Sequence, residues 1–211
     1  DDDGNTYGQS LPAADASTIL SPGQLAILAG LEQSGDYRSN LIVQEVSGVD
    51  GSVEVEVTDP IGGRVALRTF AVAALRSENL NLGADLGVQS LRDGYATVRV
   101  TAGGQVAVVG SVVDQRTGDP VTVKPILFGR PPTGKAAEEV HTLVPVVARA
   151  NGLAGTVWRT RVILLNPGGP QQVRMELHPS DGAAPVTRTL TLGARGMLVD
   201  RDVVRTLVGE V

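Results

Sequence analysis

The nearest approach to a chemical motif in this 211-residue chain is Gly129-Arg130-Pro131-Pro132-Thr133-Gly134-Lys135, which fits G-x-x-x-x-G-K. In a phosphate-binding loop of that spacing, glycines let backbone N–H groups wrap a phosphate and the lysine reaches its outer oxygens. Two features oppose that reading here. Ala136 stands where a Ser or Thr hydroxyl would hold magnesium, and Pro131 and Pro132 remove two donors from the cradle. The segment reads as a linker. Asp1, Asp3 and Asn5 place oxygen ligands at alternate positions as a calcium loop begins, but the twelfth residue is Pro12 instead of a bidentate Glu. They are kept as calcium candidates beside the plainer reading of a solvated acidic segment. Asp114, Asp119, Asp200 and Asp202 are read as turn residues or ion-pair partners.

Nucleophilic chemistry is poorly supplied. The chain has no Cys, so thiolate nucleophiles, thiolate metal sites and disulfides are all excluded. His141 and His178 are its two imidazoles, and no G-x-S-x-G elbow accompanies them. Glu54 and Glu56 could suggest paired carboxylates, but their regular alternation with Val marks a solvated strand face. Arg38 and Arg159 each follow an aromatic ring and precede a hydroxyl, in Tyr37-Arg38-Ser39 and Trp158-Arg159-Thr160. Each guanidinium either lies over its ring or ties a loop carboxylate. The alternative is a sugar stacking on Tyr37 or Trp158, a use for which a chain with 3% aromatics is sparsely equipped. The expectation is a protein without catalytic residues or a required cofactor.

The elements that would position these residues are strands. Residues 52–58 alternate strictly, with Val53, Val55 and Val57 on one face and Glu54 and Glu56 on the other. Residues 95–101 and 105–113 read as two further strands, which Ala102 to Gly104 would join in a tight hairpin. Asp50-Gly51 and Asp93-Gly94 read as turns placed before strands. No long amphipathic helix is discernible. The expected class is all-β, in two tandem antiparallel Ig-like sandwich modules.

An internal repeat supports the two modules. Tyr37-Arg38-Ser39-Asn40-Leu41-Ile42-Val43 matches Trp158-Arg159-Thr160-Arg161-Val162-Ile163-Leu164 at an offset of 121. At an offset of 120, Val53, Val55 and Val57 fall on Val173, Met175 and Leu177, and Arg68-Thr69-Phe70 falls on Arg188-Thr189-Leu190. This divides the chain into an N-terminal extension (1–24), a first module (25–127), a Pro/Gly linker (128–139) and a second module (140–211). The second has no counterpart for the strands at 95–101 and 105–113, so it is expected to be incomplete.

Net charge is −5, from 18 Lys and Arg against 23 Asp and Glu, with three of the acids at the N-terminus. The remainder is close to neutral, which disfavours nucleic acid or an anionic membrane surface as partner. No apolar run nears the roughly 20 residues that span a bilayer, and Asp1-Asp2-Asp3 does not resemble an intact signal peptide.

Thr6-Tyr7-Gly8-Gln9, Tyr37-Arg38-Ser39-Asn40-Leu41, Thr117-Gly118-Asp119-Pro120 and Trp158-Arg159-Thr160 resemble a β-sandwich repeat of large secreted bacterial proteins. In such proteins it stands in tandem, in some beside subtilisin-like protease domains. The resemblance implies an extracellular or cell-surface accessory role and carries no catalytic residues. Three explanations of the short second module stay open: a fragment of a longer array, closure with fewer strands, or a strand supplied by a neighbouring subunit. The third gives the leading expectation, a non-enzymatic structural or adhesive protein that self-associates head-to-tail, with residues 1–24 as donor. Tyr7, Leu11 and Ile19 are the candidate donor side chains, and Trp158 and Arg159 the candidate contacts. The alternative is an accessory module that binds polysaccharide or protein for a secreted enzyme.

Overall fold

The computed structural model describes residues 16–128, 144, 147–151, 157–180 and 182–209. Asp1, Asp3, Asn5, Tyr7, Leu11, the Gly129–Lys135 motif and His141 lie outside them. The chain divides into two compact units, Asp1–Thr133 and Gly134–Val211.

Unit 1 is a two-layer antiparallel sandwich. After a short 3₁₀ turn at Ala16–Thr18 come β1 (Leu25–Gln33), β2 (Tyr37–Glu45), β3 (Gly51–Thr58), β4 (Arg64–Val72) and β5 (Ser77–Asn81). These are followed by β6 (Leu91–Ala102), β7 (Val106–Asp114), β8 (Pro120–Val123) and β9 (Ile126–Phe128). One layer has the order β4-β3-β6-β1-β9, the other β5-β2-β7-β8. Period-2 patterning builds the interior. Val53, Val55 and Val57 of β3 are 0% exposed, as are Leu41 and Val43 of β2, while Glu54 stands on the outer face directly opposite Arg99 of β6. With almost no aromatic side chains the core is aliphatic, from Leu20 and Leu28 to Val100 and Val106.

Three sequence expectations need correction. Ala102 to Gly104 is not a hairpin: β6 pairs with β3 and β1, whereas β7 pairs with β2 and β8 in the other layer. The glycines carry the chain across the sandwich, because β6 is already hydrogen-bonded on both edges. Asp93-Gly94 does not precede β6 but bulges within it. Asp93 has φ +57°, and the register with β1 slips between Leu31↔Gly94 and Gln33↔Leu91. Third, the end of the N-terminal extension is not a free donor. Leu20 and Val106 exchange N–H···O bonds of 2.8 and 2.9 Å, and Gly23 and Gln24 both bond to Val100. Leu20 is 1% exposed and Ile19 half-buried, so Ile19 belongs to a segment that unit 1 keeps for itself.

Unit 2 contains β10 (Arg149–Asn151), β11 (Val157–Arg159), β12 (Val162–Leu165), β13 (Gln171–Leu177), β14 (Val186–Leu192), β15 (Met197–Asp200) and α1 (Val203–Val208). They form three antiparallel ribbons of two strands, β10-β11, β12-β15 and β13-β14. The described structure is thus all-β, of the sandwich class, with one six-residue helix. Among the described residues no helix is long and apolar enough to cross a membrane.

Candidate functional site

Several hydrogen bonds of unit 1 have equivalents at matching sequence positions in unit 2. In unit 1 the Ser39 hydroxyl accepts from the Glu32 N–H at 2.9 Å and donates to the Glu32 carbonyl at 2.7 Å. In unit 2 the Thr160 hydroxyl accepts from the Ala148 N–H at 2.8 Å and donates to the Ala148 carbonyl at 3.2 Å. The Leu82 N–H donates to the Ser39 carbonyl at 3.0 Å, and the Val203 N–H to the Thr160 carbonyl at 3.1 Å. The Glu45 N–H donates to the Arg76 carbonyl at 2.9 Å, and the Asn166 N–H to the Gly196 carbonyl at 2.9 Å. Leu75 and Arg195, at matching points of the next turn, are both left-handed, with φ +56° and +55°.

The strands around these bonds differ in one respect. β2 pairs with β5 and β7, and β3 pairs with β4 and β6. Their counterparts pair on one side: β12 with β15, β13 with β14. Among the described residues nothing occupies the positions that β6 and β7 hold in unit 1. Residues of β14, β15 and α1 line a cleft of about 370 Å³.

Where these partner strands are missing among the described residues, apolar side chains are less covered. Val173, Met175 and Leu177 are half-buried, where their counterparts Val53, Val55 and Val57 are 0% exposed. Apart from Asp200 at its end, the β12–β15 ribbon is apolar on both faces. Ile163, Leu165, Met197 and Val199 stand where unit 1 has Ile42, Gln44, Ser77 and Asn79. Strands patterned in this way are those covered on both faces. The two cores should therefore respond unequally to truncation. Val55→Ala is expected to cost unit 1 about 2 kcal/mol, and Met175→Ala under about 1 kcal/mol in dilute monomeric protein, measured by urea unfolding.

Polar groups hold the frame of unit 2. The buried Asn166 donates through Nδ2 to the carbonyls of Gly169 at 2.6 Å and Gly193 at 2.7 Å, and its Oδ1 accepts from the Gly168 N–H at 3.0 Å. Asp202 caps α1 by accepting from the Arg205 N–H at 3.3 Å. Its other oxygen lies 3.0 Å from Arg149 Nε and 3.6 Å from Arg159 Nε. Arg159 thus ties a carboxylate from a later turn, while Trp158 beside it is 70% exposed. His178 Nε2 stands 2.9 Å from Glu176 Oε1 on the surface, with no hydroxyl nucleophile bonded to it among the described contacts. Asp114 orders the turn before β8, accepting from the N–H groups of Arg116 and Thr117. Those bonds hold its carboxyl below the ordinary range against the opposing effect of burial, with Arg116 adding charge attraction. Among the described residues no three His, Asp or Glu groups converge as a metal site would require.

No family model matches the chain. No curated protein matches it either. One solved structure, the crystal structure of Thermotoga maritima 1070, aligns over 51% of this chain and 96% of its own, at 11% identity and a TM-score of 0.40. A likeness that faint carries no argument about fold or function.

Two organising residues escaped the sequence reading. Glu45 and Asn166 are each buried; Glu45 ends β2, which begins with Tyr37-Arg38-Ser39, and Asn166 directly follows β12, seven residues after Arg159. They stand at the same offset of 121 as that motif, so carrying the alignment two residues further would have paired them.

Proposed function

We propose that this chain is a non-enzymatic structural or adhesive protein of the cell exterior, built of tandem β-sandwich modules and self-associating by strand addition at unit 2. The observation that carries the proposal is the one-sided pairing of β12 and β13, where β2 and β3 are paired on both sides. The matching hydrogen bonds around Ser39 and Thr160, and around Glu45 and Asn166, support treating the units as two copies of one module. An unpaired edge next to half-buried apolar side chains is a template for a further strand. Two-stranded ribbons are at best marginal by themselves, so a completing strand would stabilise unit 2 as well as join subunits. The exterior location rests on the resemblance to secreted repeat domains. In a head-to-tail form, residues 1–15 of the next subunit would be the donor, and repeated donation would build a filament.

Sedimentation velocity over a wide concentration range, with electron microscopy of the same samples, tests this. Species heavier than the 21.8 kDa chain, growing with concentration, are expected. A single monomeric boundary throughout would reject strand addition. A second reading, an accessory glycan-binding module, draws on the exposure of Trp158 beside Arg159. A glycan-array signal lost in Trp158→Ala, with sedimentation unchanged from a monomer, would favour it.

A further inference from the structure

We propose that the occupant of the open flank is a second copy of unit 2, brought in by a two-fold axis that pairs β13 antiparallel with its own counterpart, Met175 against Met175. This rests on the strand-addition reading above and replaces its filament form with a closed dimer.

Side-chain alternation limits the register first. Residues directly opposite in an antiparallel pair share a face. Val173, Met175 and Leu177 face the interior and Arg174 and Glu176 face solvent. Only registers that set odd residues against odd ones keep the apolar set on one side. Charge then selects among those. With Met175 at the axis, Arg174 of each copy stands opposite Glu176 of the other, Val173 opposite Leu177, and Gln172 opposite His178. One step in one direction puts Arg174 against Arg174, and one step in the other puts Glu176 against Glu176. Opposite charges directly across a strand pair are favourable and like charges unfavourable, so the strand is complementary to itself in one register. Within one copy Arg174 and Glu176 already lie 2.6 Å apart, and pairing would extend that contact to a four-charge cluster.

The same axis serves the other layer. With β12 placed against β13 as β2 is placed against β3 in unit 1, where β6 and β7 follow them in the two sheets, an axis normal to the ribbons that joins β13 to β13 also brings β12 to β12. The β12 sequence, Val162-Ile163-Leu164-Leu165, has no charge to repel its copy. Two ribbons of two strands in each copy become two sheets of four, a sandwich of ordinary width with its interior covered. The contact is isologous, so it closes at two subunits and leaves no edge to propagate.

A charge swap tests the register. Arg174→Glu and Glu176→Arg are both at exposed positions, and each alone sets like charges opposite one another at two places in the dimer. Analytical ultracentrifugation should show a dimer for the native chain and at least roughly tenfold weaker dimerisation for each variant alone. Mixing the two variants should restore a heterodimer of native strength. One strand then carries a carboxylate at both positions and its partner a guanidinium at both, so each facing pair is again of opposite charge. Recovery on mixing cannot come from a folding defect in either partner. A native dimer indifferent to both substitutions would overturn this pairing. Open-ended polymers of the native chain would also overturn it while leaving strand addition standing, and a strict monomer would overturn both.

Discussion

Gly103→Ala is expected to be among the most damaging single-methyl changes in unit 1, lowering its stability by about 3 kcal/mol or more. Gly103 has φ +77°, a conformation that a side chain strains. A Cβ there would overlap the Asp50 carbonyl oxygen and come within 2.6 Å of Gly51 Cα. Neither atom can retreat easily, because Gly51 opens β3 and is paired with Val72 of β4. Where the chain crosses between layers, two backbones pack directly on each other and leave no space for a methyl group. Gly35 provides the control: nothing lies within 4 Å of the point its Cβ would occupy, and Gly35→Ala should leave the urea midpoint unchanged. A Gly103→Ala protein as stable as the Gly35→Ala protein would show that the crossing is not held as described.

Glu45→Ala is expected to have the second large effect, and Glu45→Gln a smaller one. The buried carboxylate accepts hydrogen bonds from the Ser47 hydroxyl and from the N–H groups of Ser47 at 2.7 Å, Gly48 at 2.8 Å and Leu75 at 2.9 Å. It therefore fastens the loop after β2 to the turn before β5, 30 residues away in sequence. Removing it would leave several donors without an acceptor inside the protein, whereas Gln keeps one acceptor oxygen. Burial alone would raise the pKa, but the bonds from Leu75, Ser47 and Gly48 outweigh it and lower it from 4.5 to about 2. Since the folded pKa lies below the unfolded one, the stabilisation is complete above about pH 4.5 and is lost as pH falls toward 2. Urea midpoints measured from pH 6 down to pH 2 should fall more steeply in the native protein than in Glu45→Gln. Parallel curves would remove the carboxylate from this role.

The alternation of Val53, Val55 and Val57 placed a half-buried strand at 51–58 and its inward face, since period 2 is a local property of the chain. It does not specify which strand lies alongside. Ala102-Gly103-Gly104 suits a hairpin and an interlayer crossing equally well, and the outcome depends on β1 and β3 already occupying both edges of β6. Asp93-Gly94 has the same ambiguity, resolved into a bulge by Leu31 on the neighbouring strand. Glu45 looks like a surface residue at a strand end until Leu75 comes to it from a distant turn. Ile19 looks available in the sequence because no local pattern announces that Leu20 will pair with Val106. In unit 2 an alignment of the chain with itself offers no counterpart for the strands at 95–101 and 105–113, and among the described residues β12 and β13 each pair on one side.

Hydrogen exchange of the β12 and β13 backbone amides, followed as protein concentration is raised, addresses strand addition at unit 2 most directly. The outward-pointing N–H groups of Val162–Leu165 and Gln171–Leu177 should exchange quickly in dilute protein and become protected together as concentration rises, while β2 and β3 stay protected throughout. Rapid exchange at every concentration, or full protection already in the monomer, would contradict it.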